Sequence, residues 1–165
     1  MDSLEKFFDD MLVKKAPFQI PEKARKWIAE YAWIFALIGL VIGIFGFLSL
    51  LSLLGLFSVF IAAVGGTGYV ALAWLSLIVL GCYLLVLGIS IPKLKAKQLL
   101  GWKLTYYSLL FFVVYSVLDF FAQPHTAAFF GFVWDVIWIV VALYVLFQVR
   151  GHFTGDLSKK TSPKK

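Results

Sequence analysis

Between Glu30 and Lys93 the chain carries no charged side chain, an uninterrupted run of 62 residues from Tyr31 to Pro92. After Lys103 only Asp119 and Asp135 appear before Arg150. A helix that crosses the hydrocarbon core of a bilayer needs about 20 mainly apolar residues. The first run therefore has room for two such helices, with Gly65-Gly66-Thr67-Gly68 as the turn between them. Two shorter apolar segments follow, separated by Gln123-Pro124-His125-Thr126. The pattern predicts four transmembrane helices, over about 32–58, 69–91, 104–121 and 127–149. Backbone polar groups in lipid must be satisfied within the segment, which favours helices. Barrel strands would alternate in polarity, and these segments do not.

Composition agrees. Hydrophobic residues make up 62% and charged residues 15% of the 165 positions, against roughly 45–50% and about 25% in soluble domains. A domain this small leaves too much surface exposed to hide that apolar excess in water. An ordinary soluble enzyme is excluded. A single cysteine, Cys82, excludes an intrachain disulfide and a cysteine-cluster metal site. No phosphate-binding loop, dinucleotide fingerprint or HExxH pattern occurs. No cofactor, metal or catalytic cluster is expected, and the chain is not read as an enzyme.

All 15 lysines and arginines fall in three segments: Lys6 to Lys26, Lys93 to Lys103, and Arg150 to Lys165. Four spans put all three on one face, so the positive-inside rule places both termini in the cytoplasm. An odd number of spans would split the charges between faces. This account explains the net charge of +6 through topology and anionic headgroups, without nucleic acid. The expected organisation is a cytoplasmic amphipathic segment 1–30, a four-helix transmembrane domain 31–149, and a basic disordered cytoplasmic tail 150–165.

The fold class expected is thus an all-α integral membrane protein, a four-helix bundle with a short N-terminal interfacial helix. Leu4, Phe7, Phe8, Met11 and Leu12 fall on one helical face, and Asp2-x-x-Glu5 resembles a capping box. That helix either lies on the membrane surface or docks in a groove of a partner. Pro21 suits the start of the next helix. Trp27, Tyr31 and Trp33, and later Trp102, Tyr106 and Tyr107, are placed in an aromatic belt. The first span is too long: Tyr31 to Val64 would extend about 51 Å against a core of about 30 Å. Either the helix projects from the bilayer or it breaks near Gly55, and the break is expected.

Gly39, Gly43 and Gly46 form a small-residue face that lets helix backbones approach. It serves a homo-oligomer or, preferably, packing against another span of the same chain. Asp135 lies about two turns into the fourth span, where a carboxylate is costly and marks a candidate site. It shares a face with Ala128, Gly131, Trp138 and Ala142, and that face is expected to point into the bundle. Asp119 ends the third span near the non-cytoplasmic surface. Counted from Pro124, the two carboxylates sit at different depths. His125 and His152 read as loop and interfacial residues, and Cys82 as a small packed hydrophobe.

Two functions fit. The first is a multi-pass membrane protein that acts through protein–protein or protein–lipid contact, as an accessory subunit, assembly factor or scaffold. Its partners would be the bilayer, anionic cytoplasmic headgroups, and other chains of a homo- or hetero-oligomer. The second is an oligomeric transporter or channel in which Asp135 handles a proton or ion.

Overall fold

The computed structural model describes residues 3–14, 18–63, 66–122 and 125–153. Among these the chain is all-helical, without strands. Helix α1 (Ser3–Asp9) runs into a π-helical turn (Asp10–Lys14). Four long helices follow: α2 (Glu22–Ala63), α3 (Thr67–Lys95), α4 (Leu99–Ala122) and α5 (His125–Gln148). A 3-10 turn (Arg150–His152) closes the described chain. All four long helices are long and apolar enough to cross a membrane. Of the tail expected over 150–165, Arg150–His152 form the 3-10 turn and Phe153 is buried, while 154–165 lie outside the described residues, as do Asp2, Gly65, Gln123 and Pro124.

Helix α2 begins directly after Pro21, whose carbonyl accepts the Arg25 N–H at 3.0 Å. It then continues through Gly55 to Ala63, 42 residues in all. The expected break near Gly55 does not occur. A glycine costs a helix only about 1 kcal/mol, whereas a break in apolar surroundings would strand several backbone groups. Ser49 and Ser52 also return their hydroxyls to the carbonyls of Phe45 and Leu48, each at 2.8 Å, so they open no gap in the ladder. Because α2 starts at Glu22, the boundary expected at residue 30 falls inside a helix.

The long helices alternate in direction. α2 packs along α3, α3 along α4, and α4 along α5, while α2 and α5 make no extended contact. Helix α3 is central. Its buried residues Leu77, Leu80, Leu84, Leu87 and Leu94 recur at steps of three, four and seven, the spacing of a packed helical seam. The α3–α4 corner is tight. Lys97 takes a left-handed conformation, φ 52°, and its N–H bonds the Leu94 carbonyl at 2.9 Å. At Gly101 a Cβ would lie 2.5 Å from the Leu94 nitrogen and 2.6 Å from the Lys93 carbonyl carbon. Only glycine lets the start of α4 approach the end of α3 this closely.

The buried core gathers where the basic ends of the helices meet. Leu94, Trp102, Tyr106, Leu143, Leu146, Phe147, Val149 and Phe153 form one cluster with Ala29. Trp102 and Tyr106 lie inside it, their rings stacked 5.8 Å apart, instead of in the expected aromatic belt. The reason is polar satisfaction. The indole N–H of Trp102 finds a carbonyl inside the bundle, so the ring need not face an interface for water. Trp27 and Tyr31 do face outward. Cys82 is exposed as well, on the side of α3 away from its leucine seam.

Candidate functional site

Three arrangements stand out: a polar pair between α4 and α5, a charged clasp at the basic end, and a cleft between α2 and α5.

Serines on the packed helices return their hydroxyls to their own helix. Ser76 bonds Ala73, Ser90 bonds Leu87 and Ser108 bonds Thr105, at 2.7–2.9 Å. Ser116 does otherwise. Its Oγ–H reaches across the helix boundary to Asp135 Oδ2 at 2.9 Å. Ser116 is buried and Asp135 half-buried. The bond is between side chains of two helices, so the pair ties α5 to α4. Tyr115, next to Ser116, stacks on Phe112 with ring centroids 5.6 Å apart. Asp119 itself lines a separate cavity of about 480 Å³ with Tyr69, Ser76 and Phe57. Asp135 is not among the residues that line it. Ser116 carried no signal in the sequence beyond its place three residues before Asp119, one turn away on the same helix face.

The glycines separate. At Gly43 a Cβ would meet Leu84 Cδ2 at 2.5 Å, so α2 does approach α3 there. Gly39, Gly46 and Gly131 have nothing within 4 Å of a Cβ. Gly131 and Trp138 are exposed, so the face of α5 expected to point inward does so only in part. The seam that is buried runs through Ile139, Leu143 and Leu146. The side chain of Ala128 lies outside the described residues.

At the basic end, the N-terminal segment is seated on the protein's own core. Phe8 packs on Phe147 and Tyr106, with ring centroids 5.9 and 6.4 Å apart. Leu12 and Val13 also pack on the core cluster. Gln148 Nε2–H donates to the Leu12 carbonyl at 3.2 Å, and the Tyr144 hydroxyl donates to the Phe18 carbonyl. Arg150 reaches Glu5 at 3.7 Å and Asp9 at 3.9 Å, and its guanidinium lies 4.8 Å over the Trp102 ring. Glu5, read from the sequence only as the second member of a capping box, is 1% exposed. Of the apolar face read from the sequence, Phe8 and Leu12 turn to the core, while Phe7 and Met11 stay exposed. The Leu4 side chain lies outside the described residues.

The cleft between α2 and α5 has a volume of about 540 Å³. Its floor comes from α3 and α4, its walls from Trp27–Gly39 and Trp138–Val149. Thr105 and Tyr83 supply its hydroxyls. Among the described residues, no group of three or more His, Cys, Asp or Glu side chains could hold a metal.

The class this defines is an all-helical chain with four helices of membrane-crossing length and composition. No protein family, curated protein or solved structure matches it.

Proposed function

We propose that this chain is a four-span integral membrane protein with both termini on the cytoplasmic side, and that it acts by binding proteins or lipids. The observation that carries this reading is the surface of α2. Its one buried residue is Ala29, near its start. Ile42, Phe45, Leu56, Val59 and Phe60 are 65–76% exposed. A contiguous apolar surface of this kind requires lipid or another protein to cover it. The orientation rests on the antiparallel run of helices, which brings the lysine- and arginine-bearing ends together.

A second reading is an oligomeric transporter or channel. It is favoured by the Ser116–Asp135 pair, a carboxyl held between two helices of membrane-crossing length. Four helices leave little room for a pathway within one copy, so this reading needs several.

The test is the mass and composition of the tagged chain after gentle extraction from its membrane. Stoichiometric co-purification of another protein supports the binding reading. A homo-oligomer without other proteins moves the weight to transport, to be checked by flux in liposomes. For topology, single cysteines at Gly66 and Ser158 in a Cys82→Ser background should label from opposite sides. Labelling from the same side defeats the four-span reading.

A further inference from the structure

The cleft between α2 and α5 has three properties that together point to an occupant. The first is its length. On α2 its lining runs from Trp27 to Gly39, on α3 from Tyr83 to Leu94, and on α5 from Trp138 to Val149. At 1.5 Å per residue each stretch is about 16–18 Å long, roughly half of the 30 Å hydrocarbon core. Three separate helices thus agree on the depth of one leaflet.

The second property is its position and opening. The cleft lies at the end where the helices carry their cations. Lys26 adjoins Trp27, Lys93 and Lys95 flank Leu94, and Arg150 adjoins Val149. Glu30 is the one carboxylate within these lining stretches. Because α2 and α5 make no extended contact, the cleft opens sideways, in the plane a bilayer would occupy, and not only at its end.

The third property is shape and chemistry. Ala32, Ala36, Gly39 and Ala142 keep the walls thin, while Trp27 and Trp138 are exposed at its edges. A volume of about 540 Å³ falls in the range of roughly 300–1,000 Å³ typical of ligand sites. An apolar, leaflet-deep slot with cations at one end complements an amphiphile with an anionic head.

We infer that this cleft holds an acyl chain of an anionic phospholipid drawn from the leaflet at the basic end, with the headgroup beside Arg25. The inference rests on the four-span reading above. Arg25 is the headgroup contact because it shares the face of α2 that carries the lining residues Ile28, Ala32, Ala36 and Gly39 and is half-buried there, its Nε–H donating to the Ile20 carbonyl at 2.8 Å, whereas Lys26 falls on the opposite face, Lys95 lies 4.9 Å over the Trp33 ring and Arg150 is engaged with Glu5 and Asp9.

The experiment uses the full chain in nanodiscs of equal phosphatidylglycerol and phosphatidylcholine, released for native mass spectrometry. One phosphatidylglycerol should remain on each chain, preferred about fivefold over phosphatidylcholine, the factor expected of one cation–headgroup contact. Arg25→Gln should remove the preference, whereas Lys26→Gln, on the opposite face of α2, should keep it. Ala36→Phe combined with Ala142→Phe should fill the slot and lower retention about tenfold or more, since an overfilled site excludes its ligand. Retention unchanged in the filled variant, or equal retention of both lipids by the natural chain, overturns the inference. A second measurement needs no variant. Tryptophan emission of the natural chain should be quenched at lower mole fraction by brominated phosphatidylglycerol than by brominated phosphatidylcholine, and identical curves overturn the inference. Cysteine labelling at Gly66 and Ser158 keeps the two readings apart. Opposite-side labelling with no lipid preference sinks the lipid site alone, whereas same-side labelling sinks the four-span reading as well.

Discussion

Trp102 donates its indole Nε1–H to the backbone carbonyl of Leu146 at 2.7 Å. Leu146 lies in the last turn of α5, where carbonyls have no partner within the helix. A side chain from the start of α4 therefore caps the end of α5, 44 residues away in sequence. Phe147 meets the same indole edge-on, with centroids 5.2 Å apart. One residue thus joins the polar and apolar parts of the core.

Replacing Trp102 by Phe keeps most of the ring and removes the donor. It should cost about 1–3 kcal/mol, the penalty for a buried carbonyl left unsatisfied. Thermal unfolding in detergent, followed by circular dichroism, should show a lower Tm. An unchanged Tm would mean that the Leu146 carbonyl finds another partner.

The glycines should divide by what lies beside them. Gly101→Ala places a Cβ against backbone atoms of Lys93 and Leu94, which cannot move aside as a side chain can. A loss of about 1–3 kcal/mol is expected, as for an overpacked core. Gly43→Ala meets only the tip of Leu84 and should cost less. Gly46→Leu has open space within the chain and should leave the monomer's Tm nearly unchanged. If Gly46 serves a homo-oligomer, the same substitution should lower the mass seen by light scattering.

The Ser116–Asp135 bond separates structural from chemical roles for the carboxylate. Asp135→Asn keeps an oxygen to accept the Ser116 proton, so the fold should survive with a small change in Tm. Ser116→Ala and Asp135→Leu both break the bond and should destabilise by about 1 kcal/mol or more. Under the transport reading, Asp135→Asn also abolishes flux while assembly persists, because an amide cannot take up a proton at this pH range. Flux retained in Asp135→Asn removes the proton-carrying role.

Arg150→Gln should release the N-terminal segment. It leaves the buried Glu5 carboxylate without its cation, a change that is costly at a buried pair. The cheapest relief is for residues 5–13 to leave the core, not for the bundle to unfold. Faster amide exchange in that segment, with little change in α3 and α4, is the expected pattern. Uniform exchange across all helices would show that the clasp supports the whole fold.

Much of the architecture was legible from charge and hydropathy, because they act along the chain. The uncharged run from Tyr31 to Pro92 requires apolar helices whatever they pack against. The turn at Gly66 and the helix start after Pro21 are likewise local effects of backbone chemistry. The expected break near Gly55 weighed bilayer thickness above the cost of an opened backbone ladder, and the ladder won. Asp135 could be picked out because a carboxylate in an apolar stretch is rare. Its partner could not, because serine is common on small-residue helix faces and the crossing of α4 and α5 decides which one is near.

Trp102 illustrates the remaining gap. Its distance from the end of the third apolar segment suits an interface, and composition alone puts it there. Only packing brings the Leu146 carbonyl within reach and makes burial of the indole N–H affordable. The seating of Phe8 and Glu5, the opening between α2 and α5, and the choice of Gly43 over Gly39 for close approach were settled the same way. By itself the sequence determined the number of long apolar helices and their alternation with polar turns, since these follow from the solvation of each segment in turn. The tertiary structure decided which faces meet, because helix contacts depend on shape and hydrogen bonding between segments far apart in the chain.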